Sequence, residues 1–213
     1  MRKPTGFDFR PTQFTFLSLK TVGCFDVRPM SIATSPTRPN LEYAVRASDS
    51  PFKRAFASLR PGDSVAVQGP FGHFLLDEDR PAVLLAGGIG ITPLKGMAEY
   101  ASDRALPIQV RLVYSNRSEE EVAYRAELEE LERLNPRFRV TFTITGDEVS
   151  SGWKGSVGRI GERLIREATE GLTKPLYYVC GKPSMVGGML RLLSDSGVPE
   201  EDTLVEVFRG YRG

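Results

Sequence analysis

The chain has 213 residues, 40% of them hydrophobic and 26% charged, which suffices for the core of one large or two small domains. Its 28 basic and 27 acidic residues leave a formal charge of +1, so neither nucleic acid nor an anionic membrane is expected as a partner on electrostatic grounds. No apolar run approaches the roughly 20 residues of a membrane span. The N-terminal MRKPTGFDFRPTQF lacks the apolar stretch of a signal peptide, so a cytoplasmic location is expected.

Residues 1–79 read as β structure. QFTFLSL (13–19) alternates; PMSIATS (29–35), LEYAVRA (41–47) and SVAVQG (64–69) are further candidate strands. PFKRAFASL (51–59) reads as one short helix, with Ser50 as cap and Pro51 in its first turn. Short strands punctuated by Pro and Gly imply an antiparallel barrel or sandwich. After DEDRP (77–81) the rhythm changes. Five strand-like runs, 82–87, 108–115, 138–144, 176–181 and 203–208, alternate with helical patterns at 92–102, 118–134, 159–168 and 184–196. That alternation predicts an α/β domain over 80–213, a five-stranded parallel sheet covered on both faces. GDEVSSGWKGSVG (146–158) reads as a long loop.

Chemistry has few candidates to draw on. Two cysteines, Cys24 and Cys180, and one histidine, His73, do not make up the ligand set of a cysteine-bound iron–sulfur cluster or a structural zinc site, and no metal is expected. No G-x-S-x-G elbow accompanies His73, so reactivity is expected to belong to an organic cofactor. The stretch LLAGGIGITPLKG (84–96) approaches the dinucleotide fingerprint G-x-G-x-x-G, but Pro93 stands where the last glycine belongs. Ligands of open α/β sheets bind beyond the carboxyl ends of the strands. Three such ends stand out: Gly87-Gly88, Ser115-Asn116-Arg117 and Cys180-Gly181. The first joins glycine backbone to a helix N-terminus, which suits a pyrophosphate. The second offers Arg117, either as a partner for a 2′-phosphate or as a solvated strand-end charge.

Taken together, these stretches resemble the ferredoxin–NADP reductase superfamily, flavoenzymes that pair an antiparallel flavin-binding barrel with a parallel-sheet NAD(P) domain. RPMSIATSP (28–36) is similar to the R-x-Y-S flavin motif, and PGDSVAVQGPFGHF (61–74) to the end of the barrel. LLAGGIGITPL (84–94) resembles the nicotinamide loop, GWKGSVGRI (152–160) the W-x-G-x-x-G-R-I stretch, VCGKPSM (179–185) the C-G-x-x-x-M turn, and VEVF (205–208) the E-x-aromatic ending.

The resemblance implies roles. Arg28 would pair with the flavin phosphate, Pro29 and Met30 would lie along the flavin, and Ser31 would place its hydroxyl near flavin N5. Ser50, Phe52 and Lys53 would open the helix that holds the pyrophosphate. Gly87, Gly88, Gly90, Thr92 and Pro93 would form the nicotinamide loop, with Ser115, Asn116 and Arg117 toward the rest of the dinucleotide. Cys180 and Gly181 would flank the nicotinamide; Glu206 would complete the catalytic set of Ser31, Cys180 and Glu206; Phe208 would cover one flavin face. The implied cofactors are FAD, or less favourably FMN, with NADPH or NADH. The implied activity is hydride transfer from NAD(P)H to FAD, with electrons passing to a protein or small-molecule acceptor such as ferredoxin, flavodoxin, an oxygenase or a haem partner.

Three departures accompany the resemblance. Met30 replaces the motif's aromatic, which lowers the expected rigidity of flavin stacking. About four candidate strands stand where the family barrel has more, which leaves open edges. A chain start placed too late, a partner segment or second copy that completes the barrel, and a shrunken flavin domain all remain open. Finally, RGYRG follows Phe208, so Tyr211 is an alternative cover for flavin or adenine. The rival expectation is a non-catalytic NAD(P)-binding or docking subunit of an electron-transfer complex.

Overall fold

The structure, a computed structural model, describes residues 1–20 and 25–209; Cys24 and Tyr211 lie outside them. Two sheets organise the chain.

The first is antiparallel and three-stranded, in the order β2-β1-β3: β1 (Phe14–Lys20), β2 (Phe25–Ser31) and β3 (Ala66–Phe71). Alternation in β1 puts Leu17 and Leu19, both 2% exposed, on one face. There they pack with Met30, Val67 and Phe52 of helix α1 (Pro51–Ser58). Ser50 caps that helix by accepting from the Lys53 N–H at 3.4 Å, and Pro51 occupies its first turn.

The other face is open. The strand register aligns Phe14 with Phe71, Ser18 with Val27 and Lys20 with Phe25, so Phe14, Phe16, Phe25, Val27 and Phe71 share a side. Phe25 is 71% and Val27 51% exposed there. The rings of Phe14, Phe16 and Phe71 touch edge-on or tilted, with centroids 5.6–5.9 Å apart.

Two candidate strands do not form as read. The PMSIATS strand is shifted: β2 runs from Phe25 and stops at Ser31, because Ile32 and Ala33 leave the sheet and are wholly buried. Their amides donate instead to the carbonyls of Gln13 and Glu42, at 3.1 and 2.9 Å. LEYAVRA pairs into no strand; Tyr43 and Val45 pack beneath α1 and β1. The barrel is therefore incomplete.

The second sheet is parallel, in the order β7-β6-β5-β4-β8-β9. Its strands are β4 (Ala82–Gly87), β5 (Val110–Asn116), β6 (Phe138–Ile144), β7 (Ser156–Val157), β8 (Leu176–Gly181) and β9 (Thr203–Val207). The five expected strands are present, and the long loop adds a sixth, β7, whose two residues pair with Thr143 and Ile144. β4 sits centrally with residues 82–86 fully buried, which explains its unbroken apolar sequence.

Helices cover both faces. Ile91, Leu94 and Met97 of α2 (Ile91–Asp103) and Leu128 of α3 (Arg125–Leu134) pack on one side. Leu164 and Ile165 of α4 (Glu162–Thr169) and Val186, Met189 and Leu193 of α5 (Pro183–Asp195) pack on the other. The single helix expected over 118–134 is split: a 3-10 turn at Glu119–Glu121 precedes α3, and Tyr124 between them is left-handed at φ 59°. Trp153, the chain's one tryptophan, anchors the loop before β7. Its indole N–H donates to the Ser156 carbonyl at 3.0 Å, its ring meets Phe142 edge-on, and Arg125 lies 5.0 Å over it.

Candidate functional site

Sheet order places the site. β5, β6 and β7 extend from one side of β4, and β8 and β9 from the other, so the order reverses at β4. A crevice opens at the carboxyl ends of strands at such a reversal. Into it run the loop after β4, the end of β5 and the end of β8.

The loop after β4 is a 3-10 turn, Gly88–Gly90, leading straight into α2. Gly88 is left-handed at φ 54°, a conformation that disfavours a Cβ. Gly90 meets a different demand: a Cβ there would lie 2.2 Å from the Cys180 carbonyl oxygen and 2.8 Å from the Gly181 nitrogen. The loop backbone thus lies directly on the end of β8. Gly87 and Gly181 close the same corner, each within 3.1 Å of Met185 measured from where a Cβ would lie. Pro93 falls in the first turn of α2, where a missing N–H costs no hydrogen bond. The Thr92 hydroxyl is buried and donates to the Ile89 carbonyl at 3.1 Å, which leaves its lone pairs as acceptors.

At the end of β5, Asn116 is 4% exposed, and neither atom of its side-chain amide has a hydrogen-bond partner among the described residues. The nearby Tyr114 hydroxyl is also unpaired; Asn116 and the Ala123 backbone approach it without reaching hydrogen-bond geometry. Burial pushes the Tyr114 phenol up to about 12. Buried polar atoms without a protein partner are rare in folded proteins, and these two lie close to each other and to the Ala123 backbone. The amide, hydroxyls and phosphates of a dinucleotide are groups with which the Asn116 amide would pair, so the residues present fit it. Ser115 is half-buried beside Gly87, and Arg117 is exposed at the strand end.

Cys180 is fully buried and lies in register with Glu206 on β9. Burial, and then the Glu206 carboxylate, push its thiol well above the ordinary range. Burial also raises the Glu206 carboxyl. Phe208 follows β9, donates its amide to the Gly181 carbonyl at 2.9 Å and packs against the core on the α2 side. Gly87, Gly88, Gly90, Thr92, Pro93, Cys180, Gly181, Glu206 and Phe208 are thus gathered around one end of the parallel sheet.

The flavin-side residues form a second group. Arg28 and Met30 face the α1 side of β2, and Ser31 ends the strand. Arg28 holds Asp26 through two contacts, Nε to Oδ1 at 2.7 Å and a terminal nitrogen to Oδ2 at 3.0 Å. A flavin phosphate would share this guanidinium with Asp26. Met30 packs into the cluster around Leu17 and Leu19, and Phe52 is 4% exposed within it. Phe52 therefore supports the start of α1 from below; Pro51 has no N–H, and the Lys53 and Arg54 amides already donate to the Ser50 hydroxyl and carbonyl oxygens. In the first turn that leaves the Phe52 amide and the Ser50 hydroxyl proton as the donors a flavin pyrophosphate would use.

Sequence reasoning missed Lys95 and its partners Glu42 and Glu99, which connect the two groups. The available signal was a lysine inside the otherwise apolar ITPLKGMA run, followed by a glutamate four residues on.

Known proteins resemble this chain in sequence and fold. Residues 84–190 match the family model described as the oxidoreductase NAD-binding domain. A protein of the Na(+)-translocating NADH-quinone reductase of Methylococcus capsulatus, its F component, is 30% identical over 161 residues, 72% of this chain and 39% of that protein. The chain therefore spans well under half the length of this curated relative. A ferredoxin NADP+ reductase from Neisseria gonorrhoeae, solved with bound FAD and NADP, superposes with a TM-score of 0.81 at 25% identity, covering 97% of this chain and 89% of that one. The CS-b5R domains of human Ncb5or, in their NAD+ form, give 0.81 at 25% identity over 96% of this chain and 63% of that chain. With half its length in that family model and a two-sheet architecture shared with ferredoxin–NADP reductases, the chain belongs to the oxidoreductase NAD-binding domain family in its ferredoxin–NADP reductase-like form.

Proposed function

We propose that the chain is an NAD(P)H-dependent flavin oxidoreductase, with residues 1–79 forming the flavin half and 80–213 the NAD(P) half. The observation that carries this reading is the 87–92 loop lying on the end of β8, next to the end of β5 where the buried Asn116 amide has no hydrogen-bond partner among the described residues. FAD, when bound, supplies the chemistry: it takes a hydride at N5 and releases electrons onward, singly or in pairs.

The chain's own residues bind and orient. Gly88, with open space where a Cβ would lie, lets the backbone approach the dinucleotide; Gly90 keeps the loop seated on β8; and Asn116 pairs with one of the dinucleotide's polar groups. The Thr92 hydroxyl offers an acceptor to the carboxamide of the nicotinamide. Cys180, kept as an uncharged thiol by burial, packs beside the reacting ring without reacting. Glu206, its carboxyl raised by burial, lies across from Cys180 on the neighbouring strand. Ser31 directs its hydroxyl toward flavin N5, and Phe208 shields one face. Arg28 and the start of α1, with Ser50, Phe52 and Lys53, hold phosphate. Pro29 and Met30 shape the strand beneath the flavin. Arg117, exposed at the strand end, favours NADPH over NADH. The main catalytic contribution is proximity of two bound reactants.

The acceptor is a protein or small molecule; the name of the relative from Methylococcus capsulatus supports a quinone as one candidate. Among the described residues no helix is long and apolar enough to cross a membrane. The open three-stranded sheet favours a second reading, a binding or docking subunit that holds flavin only when a partner segment or second copy completes the barrel.

Purified protein separates the two. The enzyme is yellow or takes up added FAD or FMN, and NADPH or NADH bleaches the flavin bands. A colourless protein that binds NAD(P)H but takes up no added flavin refutes the enzyme and leaves the docking subunit.

A further inference from the structure

The stretch that leaves Ser31 is held by the helix that follows the nicotinamide loop. Gly96 of α2 lets the carbonyl oxygens of Thr34 and Ile32 come within 3.2 and 3.4 Å of where a Cβ would lie. The Ser35 amide donates to Glu99 Oε2, one turn further along α2, at 3.0 Å. Lys95 stands between these contacts with its side chain 3% exposed. Its Nζ lies 2.6 Å from Glu99 Oε1 and 3.2 Å from Glu42 Oε2, and donates to the Ala33 carbonyl at 3.5 Å. The ring of Tyr124, the left-handed residue before α3, covers the ammonium from 4.7 Å.

An ammonium this buried is tolerated only when paired and hydrogen-bonded. Glu99, at i+4 on the same helix, is one partner. Glu42 and Ala33 belong to the other sheet's side of the molecule, and their contacts make Lys95 a tie between the two. One end of the tie rides on the helix that carries Thr92; the other fixes the backbone two residues after Ser31.

Resting on the flavin oxidoreductase reading, we propose that Lys95 is a positioning residue: its ammonium, clamped by Glu99 and Glu42, fixes the Ser31 exit against α2 and so sets how closely a nicotinamide held by the 87–92 loop approaches flavin N5. Lys95 touches neither reactant. It acts on the orientation of the two groups that do, and orientation is what a hydride transfer between two bound rings depends on most.

The test uses flavin-loaded protein in single-turnover mixing with NADPH and with NADH. Lys95→Met keeps the apolar stem and removes the charge; Glu42→Gln, at a side chain 48% exposed, weakens the clamp without leaving a buried charge. Flavin reduction at saturating nucleotide is expected to fall on the order of 10–100-fold in K95M and by less in E42Q. The nucleotide dissociation constant is expected to stay within about threefold of the parent, because ground-state binding does not use Lys95. Amide exchange at 33–35 is expected to speed up in both variants, with or without flavin.

Parent-like reduction rates in a folded K95M overturn the proposal, as does an equal loss of binding and rate. If K95M does not fold, E42Q decides by the same two readouts. If the parent itself is not reduced by either nucleotide, the oxidoreductase reading fails by itself, and unchanged exchange at 33–35 in E42Q then removes the tie as well.

Discussion

Gly90→Ala is the sharpest test of the site as built. Its φ of −61° is ordinary for any residue, so the substitution carries no backbone strain, and only space decides. The added methyl would sit 2.2 Å from the Cys180 carbonyl oxygen, 2.6 Å from its carbon and 2.8 Å from the Gly181 nitrogen. All three atoms are backbone of a buried central strand, so no rotamer change relieves the clash and the loop must lift by about an ångström from β8. Overpacking of this kind costs ~1–3 kcal/mol, and the absence of an escape route puts Gly90 at the upper end. For a chain of this size ~3 kcal/mol corresponds to a melting temperature lower by roughly 6–12 °C. NAD(P)H binding should weaken as well, because the lifted loop narrows the crevice. Gly88→Ala is the control: nothing lies within 4 Å, but φ is 54°, so its cost is ~1–2 kcal/mol of backbone strain alone. Thermal melts and nucleotide titrations of both variants give the answer. If G90A melts within about 2 °C of the parent and binds nucleotide equally, the close packing of the loop on β8 is wrong.

Other substitutions address single residues. Ser31→Ala should bind flavin normally yet slow its reduction by NAD(P)H on the order of 10-fold or more in stopped-flow measurements; a parent-like rate removes Ser31 from the reaction. Asn116→Leu replaces a buried orphan amide with an apolar group of similar size, so the free protein should gain up to ~1 kcal/mol in a denaturant melt while NAD(P)H affinity falls. Loss of both stability and affinity would mean that the amide is satisfied within the protein. Glu206 has its carboxyl raised by burial, so between about pH 4.5, its unfolded value, and its higher folded value the native state binds more protons than the unfolded state. Stability therefore falls as pH rises through that window, and Glu206→Gln should flatten this part of a pH–stability curve. An unchanged slope would count against its burial.

The parallel half was legible because its signals are local and redundant. The β4 run is apolar on both faces, Pro183 opens α5, and glycines follow the strands; each is a short-range rule that the packing obeys. What escaped notice depended on distant partners. The expected 118–134 helix breaks at Val122 and Tyr124, and the Tyr124 ring lies over an ammonium on α2; nothing in the EEEVAYRAEL stretch announces that distant contact. The strand expected over 29–35 ends early because Ile32 and Ala33 are drawn to Gln13 and Glu42 rather than to a neighbouring strand. LEYAVRA has strand composition but pairs with neither edge of the three-stranded sheet, since pairing is a property of two segments and composition belongs to one. The glycine-to-proline departure at Pro93 shows the opposite case: it is explained once α2 is seen to begin at Ile91. Thr92 lies between the two outcomes, found from its motif although its hydroxyl is already engaged with Ile89.

Trp153 gives the two-sheet architecture an optical consequence. The only indole in the chain is fixed among Phe142, Arg125 and Ser156, at the far edge of the parallel sheet, and the three-stranded sheet has none. Tryptophan emission during unfolding therefore monitors one half of the molecule, while far-ultraviolet dichroism sums over both. Coincident curves would mean that the ties through Lys95 make the halves melt as one cooperative unit; a dichroism transition that starts before the emission changes would show the open sheet dissolving first.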